Sequence, residues 1–190
     1  MEHIYQLPNF GEDWFTYPNL YSRFIKEIPD NGHFVEVGSW KGKSIAYLGV
    51  EAINSGKTIK IDAVDTWQGS LNEPQHQNDP HVKTDTLYAL FCENISSISS
   101  VINPVRFPSL EAAQQYADQS LDIVFIDACH TYECVKEDIQ AWYPKVKVGG
   151  IIAGHDYSNA FMGVVQAVDE FFGSGFVEKT DLCWVFRKTT

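Results

Sequence analysis

Positive charge is scarce in this sequence: 14 Lys and Arg stand against 25 Asp and Glu, for a formal net charge of -11 at pH 7 and a pI near 4.8. Nucleic-acid binding draws on clustered Lys and Arg, so the deficit speaks against a phosphate-collecting surface and for a small-molecule partner. Also absent are an apolar run approaching the roughly 18 residues of a membrane span and the basic-then-apolar start of a secretory leader. No membrane insertion and no export are expected. Cysteine is sparse, and Cys92, Cys129, Cys134 and Cys183 have neither zinc-pair spacing nor an extracellular disulfide pattern. Buried thiols in a reducing cytoplasm fit better, even though Cys129 and Cys134 bracket His130. What is present, 190 residues with 44% hydrophobic and 14% aromatic, suffices for a single globular domain over 1–190.

Two phosphate-binding signatures are missing as well. The stretch FVEVGSWKGKS, Phe34 to Ser44, reads as a strand, a glycine turn at Gly38 and a helix from Lys43, with Gly42 allowing close packing where the helix begins. A dinucleotide turn needs a glycine where Trp40 stands, and no G-x-x-x-x-G-K-[ST] occurs, so NAD, FAD and P-loop nucleotides are disfavoured. The remaining pattern, Glu36-x-Gly38-x-x-x-Gly42, is also compatible with an ordinary tight connection. The free amides at the helix start are expected to face a ligand.

Along the chain, residues 1–33 are rich in aromatics and include a short helix over Leu20–Ile28; they either cover a ligand or pack on the sheet. Thr58–Val64 predicts a second strand that ends on Asp65, placed to bond a ribose, followed by Thr66 and by Trp67, which stacks on an adenine or lies in the core. Residues 68–83 show no periodicity and read as a mobile lid loop, with His76 and His81 solvated. A helix over Thr84–Ile98 capped by Thr84 or Asp85, a strand over Val101–Phe107 and a helix from Ser109 follow; Ser109 is an N-cap or an adenine contact. LDIVFI, Leu121–Ile126, is a buried central strand delivering Asp127. A helix then runs to about Lys145, Gly149-Gly150 turns into a strand over Ile151–Gly154 that delivers His155-Asp156-Tyr157, and Gly163–Phe172 is the last helix. Gly175–Lys179 and Cys183–Phe186 close the sheet as an antiparallel pair. The alternation predicts a doubly wound, Rossmann-like α/β fold: a seven-stranded, mostly parallel sheet with an antiparallel C-terminal strand and helices on both faces. Glu36, Asp65, Asp127 and Asp156 then share the carboxyl edge, where such sheets bind ligands.

The glycine pattern resembles the first motif of class I S-adenosylmethionine-dependent methyltransferases, with Asp65 matching their ribose-binding acid. FIDACHTYE and GGIIAGHDY resemble the cation-dependent small-molecule O-methyltransferases of the catechol and macrolide-sugar types, and a bacterial branch with D-x-x-H-x-Y-E and HDY motifs. The similarity runs from Phe34 to Phe172. It implies S-adenosylmethionine held by Glu36, Gly38, Ser39, Trp40, Gly42, Ser44, Asp65, Thr66, Trp67, Ser109 and Asp127, and a small hydroxylated acceptor such as a sugar. It further implies catalysis by Asp127 and by His130 as a near-neutral general base, and leaves open a divalent cation on Asp127, His155 and Asp156, with His155 otherwise a second base or a partner of Asp127 without any metal. His155 replaces an acid of the family's pair, which leaves the ion's identity open and favours zinc, iron, nickel or manganese over magnesium. Tyr132 and Tyr157 are acceptor contacts or core. A homodimer is left open, and the rival readings are a nucleotide-linked oxidoreductase, a nucleotide-sugar enzyme and a non-catalytic cofactor binder.

Overall fold

Seven strands lie in one sheet in the order β3-β2-β1-β4-β5-β7-β6, in a computed structural model that describes residues 1–71 and 73–189. The strands are β1 Gly32–Val37, β2 Ile59–Asp65, β3 Ile102–Arg106, β4 Leu121–Ile126, β5 Val146–Gly154, β6 Glu178–Thr180 and β7 Cys183–Arg187. The first five are parallel, and β7 runs antiparallel between β5 and β6, as the sequence predicts. Alternate side chains of β1 leave to opposite faces: Phe34 joins one apolar core under α1 (Pro18–Glu27), α2 (Lys43–Ser55) and α5 (Leu87–Asn94), while Val35 and Val37 join the other. That second core packs against α6 (Ser109–Ala113), α7 (Tyr132–Trp142) and α8 (Met162–Phe172).

The local signals explain most boundaries. Pro18 occupies the first turn of α1, where its missing N–H costs nothing, and Leu20, Tyr21, Phe24 and Ile25 form the buried stripe. Gly42 and Gly56 bracket α2 in left-handed conformation. Thr131 caps α7 by accepting from the Cys134 N–H.

Several expectations need correcting. Residues 68–83 contain two short helices, α3 (Pro74–Asn78) and α4 (Pro80–Lys83), each opened by its proline, with Asp79 capping α4; Asn72 lies outside the described residues. Gly149 and Gly150 sit inside β5, next to a register shift against β4, not ahead of the strand. The N-cap of α5 is Thr86, so Thr84 and Asp85 do not cap it. The helix predicted up to Lys145 ends as α7 at Trp142, followed by one 3-10 turn.

Candidate active site at the carboxyl edge

The register aligns four strand ends. Val37 pairs with Val64 and Ile126, and Ile126 with Gly154, so Gly38, Asp65, Asp127 and His155 emerge at one level. Strand order reverses between β1 and β4, the switch point at which open parallel sheets bind ligands. There the two chain segments touch: Gly38 has φ +92°, and a Cβ on it would lie 1.9 Å from the Asp127 carbonyl oxygen.

Glu36 stands one level deeper than the edge, opposite Ala63 and Phe125, and its side chain turns beneath the start of α2. It is fully buried and accepts from Tyr21 Oη at 2.5 Å, Ser39 Oγ at 2.9 Å and Ser44 Oγ at 3.1 Å. It lines neither cavity of the edge and therefore holds the turn rather than facing a ligand. Burial raises its pKa to about 8 against the pull of the three hydroxyls. Because the folded value lies above the unfolded one, the stability from the neutral carboxyl is complete below 4.5 and lost as pH rises through about 8. Glu36→Gln cannot ionise, so the wild type should lose on the order of 2 to 4 kcal/mol relative to the variant over that window. Denaturant titrations on both proteins below and above the window check this, and parallel pH profiles would contradict it.

The turn amides are not free. Asp65 Oδ2 accepts from the N–H groups of Ser39 at 2.9 Å and Trp40 at 2.8 Å, and Oδ1 from Trp67 N–H at 2.7 Å. Trp40 is held at φ 46°, which curls the amides around the carboxylate. A carboxylate has about four acceptor positions, so Asp65 retains one for a hydroxyl. Trp67 lies in the core against Tyr88 and Phe91, away from both cavities, which settles its two readings for packing. Ser109 is not the N-cap of α6, which is Pro108; its hydroxyl donates to Asp138 and accepts from Trp142 Nε1.

Asp127 is the hub of the other half. Tyr17 Oη donates to its Oδ2 at 2.8 Å, His130 Nε2 stands 3.8 Å and His155 Nδ1 3.7 Å from Oδ1. Asp156, at φ 59° after β5, comes within 2.8 Å of His130 Nε2, and Glu73 Oε1 reaches His130 Nδ1 at 2.6 Å. These are charge contacts without hydrogen-bond alignment: both ring nitrogens of His130 are buried and have no hydrogen-bond partner. Burial opposes the imidazolium, but the carboxylates of Asp127, Asp156 and Glu73 outweigh it and push His130 up to about 12. The expectation of a near-neutral base at His130 is corrected accordingly. His155, pushed up to about 9 by Asp127 and Asp156 against its own burial, pairs through Nε2 with Thr16 Oγ1 at 3.1 Å. Burial would raise Asp127, but the two imidazoles hold it well below the usual carboxylate range.

Asp127, His130 and Asp156 each offer one ligand atom, all within 4.8 Å of one another. Two carboxylates and an imidazole with orphaned nitrogens fit a divalent cation. His130 takes the place that sequence reading gave to His155, which stands behind the cluster.

The edge opens into two cavities that share Gly38, Trp40, His76, Asp127 and Ala128. The smaller, about 170 Å³, has Asp65, Thr66, Ser109 and Cys129 in its wall; the larger, about 320 Å³, has Ser39, Ser44, Tyr17, His130, His155 and Asp156. Gly42 lies outside both, its missing Cβ making room for Phe91 at 3.0 Å. Between them His76 stacks on Trp40 at 4.3 Å, so His76 is not solvated; His81 hydrogen-bonds Thr86. Tyr132 pairs with Glu170, and Tyr157 with Asp169, away from the cavities. The residues that sequence reasoning missed, Thr16, Tyr17 and Glu73, come from the first 33 residues and from segment 68–83, the two regions expected to cover the site.

No helix of the described residues is long and apolar enough to cross a membrane. A family model described as a methyltransferase domain matches residues 35–157. An uncharacterized Sinorhizobium fredii protein, y4gI, is 27% identical over 123 residues, 64% of this chain but 13% of that protein, so the chain spans a small part of the curated relative it matches. Among solved structures, the O-methyltransferase NovP superposes with a TM-score of 0.69 at 16% identity, covering 98% of this chain and 88% of that one. A Klebsiella pneumoniae protein described as an O-methyltransferase gives 0.71 at 12% identity, covering 100% and 91%. CalS11, a TDP-rhamnose 3'-O-methyltransferase of calicheamicin biosynthesis, gives 0.57 at 16% identity, covering 90% and 76%.

Proposed function

The chain belongs to the methyltransferase-domain family, for which S-adenosylmethionine is the methyl donor, and we propose that it transfers that methyl group to a hydroxyl of a small molecule. The observation that carries the reading is the pair of cavities meeting at Asp127, one beside Asp65 and the other ringed by titratable groups. NovP and CalS11, both O-methyltransferases on this fold, support oxygen as the acceptor atom.

The donor's sulfonium carries an electrophilic methyl, so the protein's task is alignment and removal of the hydroxyl proton. Asp65, with its one remaining acceptor position, suits a ribose hydroxyl in the smaller cavity. Tyr17 and Thr16 fix Asp127 and His155 from the N-terminal side. Asp127, His130 and Asp156 would hold a divalent cation, which would supply Lewis acidity that lowers the pKa of a hydroxyl. With His130 held as imidazolium by its three carboxylates, its proton must leave before the ring can ligate or accept a proton.

Two measurements test this. With methyl-labelled donor and a panel of hydroxylated small molecules, label is expected in ether-linked methyl groups; label found only on nitrogen or carbon would overturn the oxygen assignment. Manganese titration by calorimetry is expected to release about one proton per ion bound, seen as an enthalpy that depends on the buffer's ionisation heat. A buffer-independent enthalpy, or turnover indifferent to EDTA, would remove the cation from the account.

A further inference from the structure

Resting on the cation reading above, we infer that Glu73 is a positioning residue: carried by a strap seated on the Gly38–Gly42 turn, its carboxylate orients His130 so that Nε2 faces a cation shared with Asp127 and Asp156. The two ring nitrogens have different neighbours. Nε2 stands 2.8 Å from Asp156 Oδ2 and 3.8 Å from Asp127 Oδ1, whereas Nδ1 stands 2.6 Å from Glu73 Oε1. A histidine that ligates a metal through one nitrogen directs its other N–H at an acceptor, which fixes the tautomer and the angle of the ring. Nδ1 is buried and without an aligned partner, so a modest turn of the carboxylate beside it supplies the acceptor it lacks. Phe161 also packs on the ring, at 4.8 Å between centroids, but an apolar contact does not distinguish nitrogen from carbon. The choice of nitrogen lies with Glu73.

Asp127 and Asp156 follow strands β4 and β5 directly, and the sheet places them. Glu73 has no such support. It stands at the N-cap of α3 without capping that helix through its side chain, which leaves the carboxylate for His130. Its other oxygen lies 3.5 Å from His76 Nε2, and His76 is fixed in turn, accepting at Nδ1 from the Ser70 N–H at 3.1 Å and stacking on Trp40 at 4.3 Å. Further along, Asp79 pairs with Lys41 at 2.6 Å, both side chains nearly buried. The strap is therefore anchored at Trp40 and at Lys41, two neighbours on the turn, and sends one carboxylate across to the cluster. Neither Lys41 nor Asp79 lines either cavity, so releasing that ion pair acts on a cation only through the strap.

The test is calorimetric titration of manganese into the wild type, Glu73→Ala, Glu73→Gln and Asp79→Asn, with melting temperatures as a check on folding. Glu73→Ala is expected to bind manganese about tenfold more weakly or worse. Glu73→Gln should recover most of that loss, because its amide oxygen still accepts from Nδ1–H although the charge is gone, and this separates orientation from simple attraction of the ion. Asp79→Asn keeps the cap of α4 but loses the pair with Lys41, and should weaken manganese several-fold. Unchanged affinity in Glu73→Ala or in Asp79→Asn, or no recovery in Glu73→Gln, would overturn the proposal while the cation reading stands. A wild type that binds no manganese would overturn the cation reading and this proposal with it.

Discussion

Asp127→Asn is expected to lower methyl transfer by about three orders of magnitude while S-adenosylhomocysteine still binds. The side chain keeps its shape and can still accept from Tyr17, which donates at 2.8 Å, so the fold should survive. What disappears is the charge. Among the described residues, Asp127 and Asp156 are the carboxylates within 4 Å of both His130 and His155, and the two imidazoles keep Asp127 ionised although it is largely buried. Without it, one of the three atoms that converge for a cation is lost, and the imidazolium ions lose a counterion. Steady-state kinetics alongside calorimetry separates the two effects. A loss smaller than about tenfold would show that proton removal and acceptor alignment take place elsewhere.

Gly38→Ala is expected to cost at least about 3 kcal/mol of stability and to abolish cofactor binding. At φ +92° an alanine is strained whatever its surroundings, and here its Cβ would meet the Asp127 carbonyl oxygen at 1.9 Å and the carbonyl carbon at 2.6 Å. Both atoms are backbone, fixed by the Asp127 N–H bond to Val37 O at 2.7 Å, so relief would require parting β1 from β4 at the switch point. Gly56→Ala is the control. It shares positive φ, at +71°, but nothing lies within 4 Å of its Cβ, and only the conformational strain of about 1 kcal/mol applies. For a chain of this size each kcal/mol moves Tm by roughly 2 to 4 °C. Similar melting temperatures for the two variants would mean that the close approach at Gly38 does not exist in solution.

The sheet was legible because its strands are short apolar runs punctuated by glycine and proline, and periodicity reads such runs without tertiary information. Asp65, Asp127 and Asp156 were legible for the same reason: each is the first polar residue after an apolar strand or close behind it. Glu36 also looked like an edge acid, but strand alternation sends it to the face beneath α2, and only the register with Ala63 and Phe125 shows that it lies below the edge. Segment 68–83 hid two helices of five and four residues, too short to show a period. Glu73 reaches His130 from there, and Tyr17 reaches Asp127 from 110 positions away, contacts that no local pattern encodes. The choice between His130 and His155 as cluster member was likewise a matter of which ring turns inward, and motif spacing carries no such direction.

The central claim is that the carboxyl edge around Gly38, Asp65 and Asp127 binds S-adenosylmethionine and its product. Calorimetric titration of the protein with S-adenosylhomocysteine tests it most directly. One site per chain with a Kd of about micromolar order is predicted, and the absence of heat at about millimolar ligand would contradict it.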